Sequence, residues 1–149
     1  MKINDKTKEE LKHKLQPDTF ITLTVCQGIM TKDGKFIVAS PLALDRVMKG
    51  VLDATARRIY SKRYYRRKRP RIKNISVAEC SRGGMWHIHS CLKCPDNVTI
   101  EQLAVLIEDA WSKSKWYRPR NEIEQIWGNA LFYILKDGQD GFLVDTMSF

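Results

Sequence analysis

Residues 71–80 and 85–92 read as two alternating runs separated by Ser81-Arg82-Gly83-Gly84, and this pairing constrains the chain more than any other feature in it. Side chains of a strand alternate between faces, and a Gly-rich turn between two such runs folds them back as an antiparallel pair. In the second run, Trp86-His87-Ile88-His89 puts His87 and His89 on one face and Trp86, Ile88 and Ser90 on the other. In the first run, Ile75-Ser76-Val77-Ala78-Glu79 ends on a carboxylate that the turn brings back beside the histidines. Two imidazoles and a carboxylate on one face form a metal-ligand set with positions open to a substrate oxygen, and the imidazoles favour Mn²⁺ over Mg²⁺. A histidine pair that serves only the strand's packing is the plainer reading of the same residues. A zinc site is a third, since Cys91-Leu92-Lys93-Cys94 follows directly, although the spacing is not that of the usual zinc modules.

The remaining elements follow from periodicity. Residues 19–25 alternate and are β-branched, and the Asp33-Gly34 turn signal offers residues 35–39 as a partner strand. Ser40-Pro41 reads as the N-cap and first residue of a helix whose apolar stripe runs through Leu44, Val47, Met48, Val51, Leu52 and Ile59. Thr99 and Gln102 form a capping box before a second stripe, Leu103, Leu106, Ile107, Ala110 and Trp111. Residues 122–127 are expected as a strand, 129–136 as a short helix and 141–144 as a terminal strand, while residues 1–15 read as a short polar helix or a frayed, flexible arm. The expectation is one domain over 1–149 of α+β class: a ferredoxin-like or RRM-like sandwich, with a mostly antiparallel sheet and helices packed on one side.

The net charge of +9 is concentrated in one place. Ten Lys or Arg and no Asp or Glu lie between Arg57 and Lys73, which leaves the rest of the chain near −1. Tyr60, Tyr64 and Tyr65 are interleaved with these cations. Such a mixture suits a polyanion with stackable bases, so Arg57, Arg58, Lys62, Arg63, Tyr64, Arg66, Arg67, Lys68 and Arg69 are expected to contact DNA, with Trp116 in a second basic stretch as a base platform. No apolar run approaches a membrane span and the first residues are polar, so a cytoplasmic protein with reduced cysteines is expected.

Further along the chain stands Tyr133-Ile134-Leu135-Lys136. Cleaving a phosphodiester without water needs a nucleophile in line with the leaving oxygen and cations on the phosphate. On a helix Tyr133 and Lys136 would be neighbours, so Lys136 would lower the phenol pKa, position the scissile phosphate or offset its charge. His87-Ile88-His89, the later Tyr-x-x-Lys and the hydrophobic run Phe20-Ile21-Thr22-Leu23-Thr24 together resemble the HUH endonucleases, in the rolling-circle replication initiator branch. The resemblance spans residues 19–136. It implies a metal-dependent nicking and joining enzyme of a plasmid or virus, using Mn²⁺ or Mg²⁺ on His87, His89 and Glu79. Tyr133 would nick single-stranded DNA at a replication origin, stay on the new 5′ end as a phosphotyrosine, and leave a 3′ hydroxyl as primer.

Phe132 and Asn129 stand where many such initiators carry a second tyrosine, so the resemblance implies a single nucleophile. No Gly-rich phosphate loop is present, so a separate helicase and the host polymerase would be partners. Tyr65-Arg66-Arg67-Lys68 has the same Tyr-to-Lys spacing and competes for the role, in the order used by relaxases of the same superfamily. The alternatives are a single-tyrosine transposase or relaxase and a non-catalytic single-stranded nucleic-acid-binding module.

Overall fold

A computed structural model describes residues 2–138 and 140–149. In chain order the elements are α1 (Asp5–Leu15), β1 (Thr19–Thr24), β2 (Gly28–Met30), β3 (Phe36–Val38), α2 (Pro41–Ile59), α3 (Lys62–Lys68), β4 (Asn74–Cys80), β5 (Trp86–Leu92), α4 (Ile100–Ser112), β6 (Glu122–Gln125) and α5 (Ala130–Ile134). The main sheet has the order β4-β5-β1-β6, antiparallel throughout. Taken as β1-α2-β4-β5-α4-β6, this is the interleaved split-βαβ arrangement of ferredoxin-like sandwiches, as the sequence led us to expect.

Local signals account for most element ends. The Ser40 hydroxyl accepts from the Ala43 N–H at 3.2 Å, with Pro41 at the first helical position of α2. The Thr99–Gln102 capping box is fully formed at α4. Caps of this kind contribute about 1 kcal/mol each. Alternation in β1 sends Ile21, Leu23 and Val25 into the main core beneath α2 and α4, where Leu44, Met48, Leu103, Ile107 and Trp111 meet them. Phe20, Thr22 and Thr24 point to the opposite face.

That second face departs from the expectation that helices would cover one side only. Here α1 and α5 pack on part of it, and Leu15, Phe20, Ile75, Val77, Cys91, Ala130, Leu131, Ile134 and Leu135 form a smaller core. Residues 5–15 are therefore a packed helix, anchored by Leu15 at 2% exposure, and not a frayed arm.

Two strand pairings differ from those expected. Residues 36–38 pair with Gly28–Met30 across the Asp33-Gly34 turn, while β1 is taken by β5 and β6. The turn signal was sound, but β1 buries its Ile21-Leu23-Val25 row only in the middle of the sheet, which leaves the hairpin to a nearer partner. Residues 141–144 do not make a strand. They follow the outer edge of β4 through an isolated bridge at Phe142, with the Ala78 N–H donating to the Gly141 carbonyl at 2.7 Å, and Ser148 bridges Asn74 further along the same edge. A Cβ at Gly141 would collide with the Ala78 carbonyl, so this approach needs a glycine. Arg71 and the buried Asp45 hold the same segment by its backbone.

Candidate functional site

Register builds the site. Glu79 lies directly opposite His87, and Thr24 opposite His87 on the other side, while Val77, His89 and Thr22 form the next row. All project from the face that α1 and α5 cover only in part. Glu79 is folded beside the histidines by the turn at residues 81–84, as the alternation predicted.

Across this row lies α5. A helix of five residues has no stability of its own, so its placement comes from packing Ala130, Leu131, Ile134 and Leu135 against β4 and β5. Each fully buried Leu or Ile contributes roughly 1.5–3 kcal/mol. With those positions inward, Tyr133 faces out, 44% exposed, its ring 6.0 Å from that of His89 and edge-on to it. The helix ends before Lys136, but the Lys136 N–H donates to the Tyr133 carbonyl at 3.3 Å. That turn keeps the two residues on one side, and Lys136 Nζ stands 3.9 Å from the centre of the Tyr133 ring.

Glu79 Oε2 ties the parts together. It accepts from Lys136 Nζ at 3.0 Å and lies 3.2 Å from His89 Nε2. The other ring nitrogen of His89, Nδ1, is 3.1 Å from the Thr22 hydroxyl, which can donate or accept and so suits either tautomer. Burial pushes the His89 pKa below its ordinary 6.5; Glu79 pulls it back, and His87 and Lys136 add to the depression. His89 is thus a neutral imidazole at neutral pH. For Lys136, burial favours loss of the proton, but its hydrogen bond and attraction to Glu79, with Tyr133 and Asp137, outweigh that and raise its pKa. Lys136 is a fixed positive charge beside the tyrosine.

The donor chemistry fits a hard or borderline divalent ion. Adjacent ligands around an octahedral ion with bonds near 2.1 Å stand about 3 Å apart, close to the 3.2 Å between His89 Nε2 and Glu79 Oε2. His87 is half-exposed, its ring stacked on that of His89 at 6.1 Å. Among the described residues no three His, Cys, Asp or Glu side chains stand in ligating positions around one point. Zinc on the cysteines is not compatible with the fold. Cys91 shares the histidine face, but its thiol is buried in the smaller core with its pKa pushed up to about 12, whereas Cys94 lies in the main core on the other side.

The remaining sequence candidates lie elsewhere. Arg57, Arg58, Lys62, Arg63, Tyr64, Arg66, Arg67, Lys68 and Arg69 sit at the end of α2 and on α3, in the helix layer on the opposite face of the sheet from the histidines. Tyr65 belongs there too, packed against the main core with Arg57 over its ring, so it is not brought to His87 and His89. Trp116 is 5% exposed and part of the core, so it offers no platform for a base.

Three features of the site were not picked out from the sequence. Trp127, 47% exposed, packs edge-on against Phe20 at 5.5 Å and lies 6.2 Å from the Tyr133 ring. Thr22 orients His89. Arg118 and Arg120 join Thr22, Thr24, Met85 and His87 around a groove of about 760 Å³, which also takes in Glu122. The Asn121 side chain fixes that loop by accepting from the Thr24 N–H at 2.8 Å and the Trp111 indole at 3.2 Å. The clue for Arg118 and Arg120 was their place directly before β6, which became a clue only once β6 was known to lie beside β1.

Compared with protein-family models, curated proteins and solved structures, the chain gives no significant match in any of the three.

Proposed function

We propose that this protein is a single-stranded DNA nicking and joining endonuclease of the HUH kind, which starts rolling-circle replication of a plasmid or virus through a phosphotyrosine at Tyr133. The observation that carries this reading is the meeting of three separate segments: His89 and Lys136 both contact the Glu79 carboxylate, and both lie against the Tyr133 ring.

In this reading the Tyr133 oxygen attacks the scissile phosphorus as the phenol loses its proton. The bond from phosphorus to the 3′ oxygen breaks, and that oxygen leaves as a hydroxyl after gaining a proton. No phosphate ester bond is lost in total, so attack by a 3′ hydroxyl reverses the step and rejoins the strand. Lys136 offsets the charge that grows on the phosphate. Mn²⁺ or Mg²⁺ held by His87, His89 and Glu79 would polarise a non-bridging phosphate oxygen. Thr22 keeps the His89 ring turned toward Glu79, and Arg118 and Arg120 hold the backbone of the strand beside His87. Trp127 offers a face on which a base next to the scissile phosphate stacks.

The test is incubation with a pool of single-stranded oligonucleotides and Mn²⁺, followed by a denaturing gel. A slower protein band that disappears in Tyr133→Phe and persists in Tyr65→Phe is the expected result. The absence of any band in folded protein, with single strands still bound, would favour a non-catalytic binding module. That second reading draws on the lack of a complete ligand trio among the described residues.

A further inference from the structure

The two outer edges of the main sheet differ. Along β4 the terminal segment covers the edge, with the Ala78 N–H donating to the Gly141 carbonyl at 2.7 Å and the Leu143 N–H to the Ser76 carbonyl at 3.0 Å. Along β6 no strand pairs on the outer side among the described residues. The Ile126 N–H donates to the Asp18 carbonyl at 2.8 Å. Backbone groups alternate in direction along an antiparallel strand, so Glu122 and Glu124 also turn theirs to β1, while Ile123 and Gln125 turn theirs outward. Beside this edge an open groove of about 540 Å³ runs between β6 and α4, lined by Ala104, Glu108, Ile123 and the exposed Val105 among others.

A second unpaired edge belongs to the small β2–β3 ribbon. All of β3 is exposed, Phe36 at 63%. The Thr31 N–H donates to the Lys35 carbonyl at 2.8 Å and the Ala39 N–H to the Gln27 carbonyl at 2.9 Å. By the same alternation Ile37 turns its backbone to β2, and Phe36 and Val38 turn theirs away. Folded proteins ordinarily cover or charge so apolar an edge, and a two-stranded ribbon gains stability from a further strand.

These two edges match each other. When two strands pair antiparallel, residues with free backbone groups stand opposite one another and share a face. Phe36 set opposite Ile123 enters the groove beside Val105, and the same register puts Lys35 opposite Glu124 on the other face. Among the described residues Lys35, Glu122 and Glu124 take part in no ion pair. Pairing β6 with β6 would set glutamate against glutamate, and pairing β3 with β3 would leave the groove empty and Lys35 without a counter-charge. We infer that β3 of one copy of this chain adds to the β6 edge of another, so that the protein self-associates through two different surfaces. Nothing in this contact depends on the chemistry at Tyr133.

The experiment is sedimentation equilibrium of the full chain, without DNA, over a wide range of concentration. One variant, Val38→Pro, blocks the β3 edge; its N–H faces away from β2, so the ribbon loses no hydrogen bond. A second, Val105→Arg with Glu124→Lys, blocks the groove and the β6 edge at exposed positions. Circular dichroism checks both folds. The mass of the unaltered chain should rise with concentration to two copies or more. Each variant alone should stay at the mass of one copy, and an equimolar mixture should form a pair and nothing larger, because one intact β3 then meets one intact β6. Should proline disturb the ribbon, Lys35→Glu replaces it: alone it should weaken association several-fold, and mixing it with Glu124→Lys should restore it. An unaltered chain that stays single at every concentration, a variant that still associates alone, or a mixture that regains nothing would each overturn the inference.

Discussion

Arg120 holds its backbone in the left-handed region, at φ 72°, at the rim of the groove beside His87. Residues with a Cβ rarely take this conformation, which costs on the order of 1 kcal/mol or more. The expectation is that Arg120→Gly raises the thermal midpoint by a few degrees while weakening single-strand binding several-fold; a denaturation curve and an anisotropy titration measure the two sides. A drop in stability would mean that the guanidinium serves the fold. Thr22 acts one step further from the chemistry, through its 3.1 Å contact to His89 Nδ1. Loss of such an outer partner typically lowers metal affinity about 10–100-fold, so Thr22→Val should weaken Mn²⁺ binding by that order in a calorimetric titration. His89 also sets a pH dependence. Its folded pKa lies below 6.5, so the unfolded chain binds the proton more readily and stability is complete above pH 6.5. As pH falls below that value stability is lost, until the folded-state pKa is passed. Denaturant midpoints at about pH 8 and about pH 5 should show this loss, and His89→Gln should reduce it.

Most elements were legible, because their signals are local. Alternation gave β4 and β5, and with them His87, His89 and Glu79 on one face; capping residues gave the starts of α2 and α4. What could not be read was which distant segments meet. The Gly141–Val144 run looked like a strand because it is short and apolar, yet it bonds to β4 through a single isolated bridge, and its Leu143 fills the main core. The basic run around α3 read as a DNA contact and its Tyr65 as a competitor of Tyr133, because charge is visible in a sequence and the face of a sheet is not. Trp116 misled for a related reason: basic neighbours suggest exposure, but its ring turns inward. The terminal segment also yields a prediction. Asp45, 8% exposed, accepts from the N–H groups of Asp145 and Thr146 and from the Thr146 hydroxyl at 2.7–3.0 Å. Asp45→Ala leaves these donors without their acceptor, so it should cost about 2–4 kcal/mol in equilibrium unfolding. A loss under about 0.5 kcal/mol would show that water replaces the carboxylate without penalty.

Taken as a whole, the molecule carries two strongly polar surfaces on opposite faces of one sheet. The helix layer of α2 and α4 supplies the main core and carries the basic α3 on its outside. The other face is half covered by α1 and α5, and the uncovered half exposes Thr22, Thr24, His87 and Glu79 beside Tyr133. Among the described residues, no helix is long and apolar enough to cross a membrane. In the proposed reaction Tyr133, and not Tyr65, becomes joined to a DNA 5′ end. The most direct measurement is mass spectrometry of peptides after reaction with a single-stranded oligonucleotide and Mn²⁺, with the DNA digested to a single residual nucleotide. A nucleotide-phosphate mass is expected on the peptide that contains Tyr133 and none on the peptides from α3. That mass on Tyr65, or its absence from every peptide of a protein shown to be folded and bound to the strand, would contradict it.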